Sequence, residues 1–154
     1  MINLVRVDYR LLHGQVVYSW LKNKPINHII IADDKAATDS FAQMALKLAK
    51  PSNCKLDIVQ IKDARQVYEK AGNKNFMFIV KGVSELYQLL QFIPEINEVN
   101  YGGVPQREGT KQVSKTFFLT PEEIELTKAM IDDNIKIYVQ QLPSSPIEKM
   151  ELSR

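Results

Sequence analysis

Short apolar runs alternate with helix-period segments along almost the whole chain, and this alternation restricts the fold more than any other feature. Ile2 to Val7 reads as a strand, and Val16, Val17, Trp20 and Leu21 then recur at helical spacing. His28 to Ala32 is a continuous apolar run of the kind that is buried on both faces of a sheet. Phe41, Met44, Ala45 and Leu48 make a second helical stripe, with Pro51 just past its end. Lys55 to Ile61 alternates as a strand does. Ala64, Val67, Tyr68 and Ala71 predict a short helix with Asp63 as its N-cap and Gly72 as its stop. Phe76 to Val80 is a further strand. Leu86, Leu89, Leu90 and Ile93 form another stripe, closed by Pro94.

Glu98 to Tyr101 then runs as a strand into Gly102-Gly103, and Lys115 to Leu119 follows. Thr120-Pro121-Glu122-Glu123 carries a full helix-start signal, with Thr at the cap, Pro at the first position and Glu three residues after the cap. That helix runs to about Asp133, and Ile135 to Val139 is the last strand before a tail broken by Pro143 and Pro146. Repeated strand–helix alternation requires βαβ units. The expected fold is α/β: one domain over residues 1–154, with a mostly parallel sheet of about seven strands and helices on both faces.

In such sheets ligands bind beyond the carboxyl ends of the strands. The turn after the first strand is Arg6-Val7-Asp8-Tyr9-Arg10-Leu11-Leu12-His13-Gly14-Gln15. Packing gives no reason for two cations and an imidazole there. Neutral imidazole is a nucleophile near neutral pH, and guanidinium forks match phosphate oxygens. The helix opening at Gly14 and Gln15 points free N–H groups at the same turn, an arrangement that attracts anions. Gly14 also permits close backbone approach or a positive φ. His13 is therefore the candidate nucleophile, Arg10 and Arg6 candidate phosphate ligands, and Asp8 the residue to orient an arginine or the imidazole. Asp33-Asp34, Lys81-Gly82 and Gly102-Gly103 stand at other strand ends. They join the periphery of the site if those ends converge.

Several other residues carry less. Arg107 and Lys111 read as solvated charges within reach of a phosphate or an acidic partner. Trp20, His28 and Cys54 read as structural. The lone Cys54 excludes an internal disulfide and a cysteine-rich zinc site. A net charge of only +2 argues against a protein that coats nucleic acid. No apolar run approaches the ~20 residues of a membrane helix, and no signal peptide is visible, so a cytoplasmic location is expected.

The stretch Arg6 to Val16 closely resembles the active-site signature of IIB components of the mannose/fructose/sorbose class of the bacterial phosphotransferase system. The resemblance extends to Ile31-Ala32-Asp33-Asp34, Gly102-Gly103, Leu119-Thr120-Pro121-Glu122-Glu123 and Val139-Gln140-Gln141-Leu142-Pro143. Leu12 departs from it, since isoleucine is usual there. The resemblance implies that His13 takes a phosphoryl group, on Nδ1, from the phosphohistidine of a IIA protein. It implies that His13 then passes the group to a sugar held by the membrane permease IIC/IID. Arg10 would hold the phosphoryl group and Arg6 would assist. The resemblance implies no metal or organic cofactor, and contact with the membrane's inner face only through the permease. It leaves the sugar open among mannose, fructose, sorbose and amino sugars. A regulatory module of the same fold that feeds no permease is the alternative. A histidine-nucleophile phosphatase fits less well, because Leu12 rather than arginine precedes His13.

Overall fold

The computed structural model describes residues 1–153. Its strands are β1 (Ile2–Asp8), β2 (His28–Ala32), β3 (Lys55–Val59), β4 (Phe76–Val80), β5 (Glu98–Gly103), β6 (Lys111–Ser114), β7 (Phe117–Leu119) and β8 (Lys136–Val139). The helices are α1 (Gly14–Asn23), α2 (Asp34–Ala37), α3 (Ser40–Ala49), α4 (Ala64–Ala71), α5 (Val83–Phe92) and α6 (Pro121–Asp132). Six strands form one parallel sheet in the order β3-β2-β4-β1-β5-β8. The expected mostly parallel α/β sheet is therefore present, but the strand count differs in one respect. Phe117–Leu119 leaves the main sheet and pairs antiparallel with Lys111–Ser114, a strand whose lysine- and glutamine-bearing sequence hides its period.

Strand residues divide strictly between two cores because successive side chains leave opposite faces of a sheet. Val5, Val7, Ile30, Phe76, Phe78 and Val80 pack with Leu86, Leu89, Ile124 and Met130 of α5 and α6. Leu4, Ile29, Ile31, Met77 and Ile79 pack with Val17, Trp20, Ala36 and Leu46 of α1, α2 and α3. Every side chain of β2 and β4 is buried, which explains their unbroken apolar runs.

The winding sets the site. From β1 the chain moves through α1 and α3 toward the β3 edge, on one face. From β4 it moves through α5 and α6 toward the β8 edge, on the other. Strand β1 lies between β4 and β5, so its outgoing helix diverges from theirs and a crevice opens at its carboxyl end.

Two local expectations change. Asp63 does not cap α4; its carboxylate makes no cap bond, and a 3-10 turn over Ile61–Asp63 leads into the helix instead. The N–H of Ile61 is met by the Asp34 carboxylate at 2.9 Å. Gly72 does end α4, at φ 71°. Thr120 and Glu123 form the reciprocal capping box that the sequence announces. The second change concerns α3, whose apolar stripe faces outward. Phe41, Met44 and Leu48 are 81%, 62% and 83% exposed, while Leu46 makes the inward contact.

Because these three side chains bury little, Phe41→Ser and Leu48→Ser are expected to shift unfolding free energy by no more than about 0.5 kcal/mol. Leu46→Ala should cost about 2 kcal/mol. Urea titrations followed by circular dichroism compare the three.

Candidate functional site

Alternation along β1 puts Leu4, Arg6 and Asp8 on the face covered by α1. Arg6 and Asp8 are each about 1% exposed. A buried ion pair is tolerated only when its hydrogen bonds are complete, and here nearly every donor is used. Arg6 Nε and Nη2 donate to Asp8 Oδ2 at 3.3 and 3.1 Å. Arg6 Nη1 donates to Asn100 Oδ1 and to the carbonyl of Gln140, at 2.5 and 3.2 Å. Its guanidinium carbon lies 5.8 Å from the centre of the Trp20 ring. Burial pulls the Arg6 pKa down, opposed by the Asp8 carboxylate.

Asp8 also grips the chain beyond it. Its Oδ1 accepts the Arg10 backbone N–H at 3.0 Å and Arg10 Nε at 3.1 Å, and its Oδ2 accepts Arg10 Nη2 at 3.1 Å. Arg10 is thus held along one edge of its fork, and its side chain stays 32% exposed. The hydrogen bonds that Arg10 donates to Asp8 lead the upward shift of the Arg10 pKa. Arg10 also lies over the Tyr9 ring, 5.5 Å from its centre. Its Nη1 amine has no protein partner among the described residues. Arg6, Asp8 and Arg10 together carry a formal charge of +1, and that charge is left on the exposed arginine.

The turn itself is anchored by apolar burial. Leu11 and Leu12 are 8% and 4% exposed, so the residue after them is left at the surface. Leu11 holds φ 59°, a left-handed conformation that costs a leucine roughly 1–2 kcal/mol. A hydrogen bond from its N–H to the Asp8 carbonyl at 2.9 Å closes the bend. His13 follows as the N-cap residue of α1. It is exposed, and its side chain does not cap the helix. The first turn of α1 carries no acidic residue, so its N–H groups at Gly14 and Gln15 are open to an anion. Gly14 does not take a positive φ. Its missing side chain instead lets α1 approach α3, since a Cβ there would stand 3.3 Å from the Ala49 carbonyl oxygen.

The other strand ends have their own tasks. Asp33 is buried and caps α2 by accepting the Ala36 N–H at 3.0 Å, and Asp34 caps the 3-10 turn. Gly102 and Gly103 form no turn but end β5. A Cβ at Gly102 would fall on the Arg6 guanidinium, and the Gly103 carbonyl accepts the Tyr9 N–H at 3.0 Å. Arg107 is not free either; it pairs with Glu123 at 2.9 Å and with the Phe118 carbonyl. Tyr9, Lys81, Gly82, Glu85, Arg107 and Glu123 line a cleft of about 300 Å³ beside the turn. Within it, burial pushes the Glu85 carboxyl up, helped by Asp33 and Glu123. Among the described residues no group of three His, Cys, Asp or Glu is placed to hold a metal ion. His28 pairs with Asp57 at 2.7 Å at the amino edge of the sheet, and Cys54 is buried. Sequence reasoning missed Asn100, fully buried between Val99 and Tyr101, and the Gln140 carbonyl that meets it. A lone polar residue in an apolar strand was the available signal.

This arrangement defines a class: a doubly wound α/β domain with an exposed histidine and a tethered arginine at the mouth of its sheet. A family model described as "PTS system sorbose subfamily IIB component" matches residues 2–152. A probable phosphotransferase enzyme IIB component of Streptococcus pyogenes is 31% identical, over 100% of this chain and 98% of its own. The mannose-specific EIIAB component of Escherichia coli is 28% identical over 97% of this chain, which spans 47% of that longer protein. The IIBSor domain of the sorbose permease from Klebsiella pneumoniae superposes with a TM-score of 0.89 at 27% identity, over 96% of this chain and 91% of that domain. The chain belongs to the sorbose subfamily of IIB components of the sugar phosphotransferase system.

Asp8→Asn would leave two guanidinium groups, one of them buried, without a counter-charge. It should cost about 3 kcal/mol of stability in urea unfolding. Glu85 gives a pH signature. Its raised carboxyl pKa contributes stability below the unfolded carboxyl range, and that stability is lost as pH rises through the folded value. Thermal melts of Glu85→Gln should gain on the parent protein as pH rises through that interval.

Proposed function

We propose that this protein, acting as one domain over residues 1–154, carries a phosphoryl group on His13 between a phospho-IIA donor and a sugar held by a IIC/IID permease. A ring nitrogen of His13, taken as Nδ1, attacks phosphorus as the P–N bond to the donor histidine breaks. One P–N bond replaces another, so the exchange is close to balanced and runs in either direction. In the second step a sugar hydroxyl oxygen attacks the phosphorus on His13, its proton is released, and the imidazole leaves. Phosphoryl transfer asks mainly for positioning and charge stabilisation.

Each residue of the turn has a part in this reading. Arg10 presents the free amine of its fork to the phosphoryl oxygens, and the Gly14 and Gln15 N–H groups supply donors from the helix terminus. Asp8 orients Arg10. Arg6, whose donors are committed inside the protein, acts from beneath by balancing the Asp8 charge. Asp33 and Asp34 brace neighbouring backbone with their carboxylates, Gly102 and Gly103 end β5, and none of the four touches the phosphoryl group in this reading. The observation that carries the reading is the exposed His13 at an uncapped helix start, three residues from an arginine locked along one edge. Names of relatives add support, among them mannose-, fructose- and sorbose-specific components. No helix of the described residues is long and apolar enough to cross a membrane. In this reading the protein works in the cytoplasm and meets the membrane's inner face through the permease.

The test supplies phospho-IIA and follows labelled phosphate. His13→Ala should take up none, and label persisting in that variant would refute the carrier role. Arg10→Lys keeps the charge but loses the fork, and should slow transfer by about tenfold or more. Membranes bearing IIC/IID and sugar should then yield sugar phosphate. If the His13 label stays on the protein, the regulatory alternative replaces the carrier reading.

A further inference from the structure

We infer that Asn100 is a positioning residue for phosphoryl transfer, and that the empty side-chain position at Gly102 is part of the same device. The inference rests on the reading of His13 and Arg10 above and extends it into the sheet. Neither residue is hydrogen-bonded to Arg10 or His13; both act through Arg6.

Parallel register pairs Arg6 with Asn100, so the two side chains leave neighbouring strands at one level. The Asn100 amide is fully buried and bonded at both its oxygen and its nitrogen. Its Oδ1 accepts Arg6 Nη1, and its Nδ2 donates to the Gln140 carbonyl at 3.0 Å. That carbonyl also accepts Arg6 Nη1, which closes a three-membered cycle of donors and acceptors. The cycle is held from the far side by the C-terminal segment. Gln140 Nε2 donates to the Ser145 and Pro143 carbonyls, and Trp20 Nε1 donates to the Gln141 carbonyl at 3.1 Å. Two residues on from Asn100, Gly102 roofs the guanidinium, and any side chain would displace it. Gly102 does not have a positive φ, so its backbone does not require glycine. The steric demand of Arg6 does.

Charge explains why the position of Arg6 matters at the surface. Asp8 alone would neutralise Arg10 and leave nothing for a phosphate. Arg6, fixed against the same carboxylate, satisfies Asp8 from below and leaves the exposed arginine its net charge. Asn100 is suited to brace Arg6 because its amide offers an acceptor without a second negative charge. A carboxylate at that position would draw Arg6 away from Asp8, and Asp8 would then neutralise Arg10.

Asn100→Ala and Gly102→Ala test this, with Asn100→Asp as the variant of nearly unchanged size. Folding is checked by circular dichroism. The rate of phosphate uptake from phospho-IIA should fall about tenfold in the two alanine variants and further in Asn100→Asp. The KM for the donor should stay within about twofold of the parent value. The Arg10 Nε–H resonance, assigned by its loss in Arg10→Lys, should shift in all three. A purely structural role would lower the melting temperature and move neither readout. Folded variants with the parent rate and an unmoved Arg10 resonance would overturn the inference. If the parent protein takes no phosphate on His13, the carrier reading fails, while the Arg10 resonance still decides whether Asn100 and Gly102 position that arginine.

Discussion

One buried carboxylate organises the working end of this protein. Asp8 accepts five N–H groups from two arginines, one sealed in the sheet and one at the surface. Desolvating a lone carboxylate there would cost several kcal/mol, and the cation beneath offsets that cost. The same contact bends the chain. The Arg10 backbone N–H joins its own side chain on Asp8, and the Leu11 N–H reaches the Asp8 carbonyl. Turn geometry and arginine geometry are therefore one constraint.

Placement of that carboxylate follows from the order of the strands. A central strand flanked on both sides can bury an ion pair among its neighbours' side chains, and β1 is such a strand. Its partner β5 supplies Asn100 and Gly102, and the segment after β8 supplies the Gln140 carbonyl. The reactive turn is thus supported by residues more than ninety positions away in the chain. Leu11 and Leu12 add the opposite pull, sinking beside α1 and leaving His13 outside.

Most of the sheet was legible in advance, because runs such as His28–Ala32 and Phe76–Val80 have no other stable use at that length. The turn was legible because arginine and histidine have no packing reason to crowd a strand end. Three things were not. The stripe Phe41-Met44-Leu48 has helical period, but period alone does not say which face meets the core, and Leu46 met it instead. In the hairpin, β7 is legible as a strand, but β6 is not, because Lys111 and Gln112 are exposed and Val113 and Ser114 buried, a pattern without alternation. The partition between the two arginines was also hidden. Arg6 and Arg10 look equivalent on paper, and only the pleat and end of β1 place one in the interior and leave the other partly exposed.

The fixed charge of this ion group has a kinetic consequence. Empty, the Arg6–Asp8–Arg10 group presents one positive charge. On the carrier reading proposed above, a phosphoryl group would bring close to two negative ones, so a loaded His13 would reverse the sign of the patch. In that reading a field that draws in a loaded donor would repel a second one while His13 is loaded, and the turn would be reset when the group departs. Such an alternation of polarity would time the encounters of the relay without movement of the main chain.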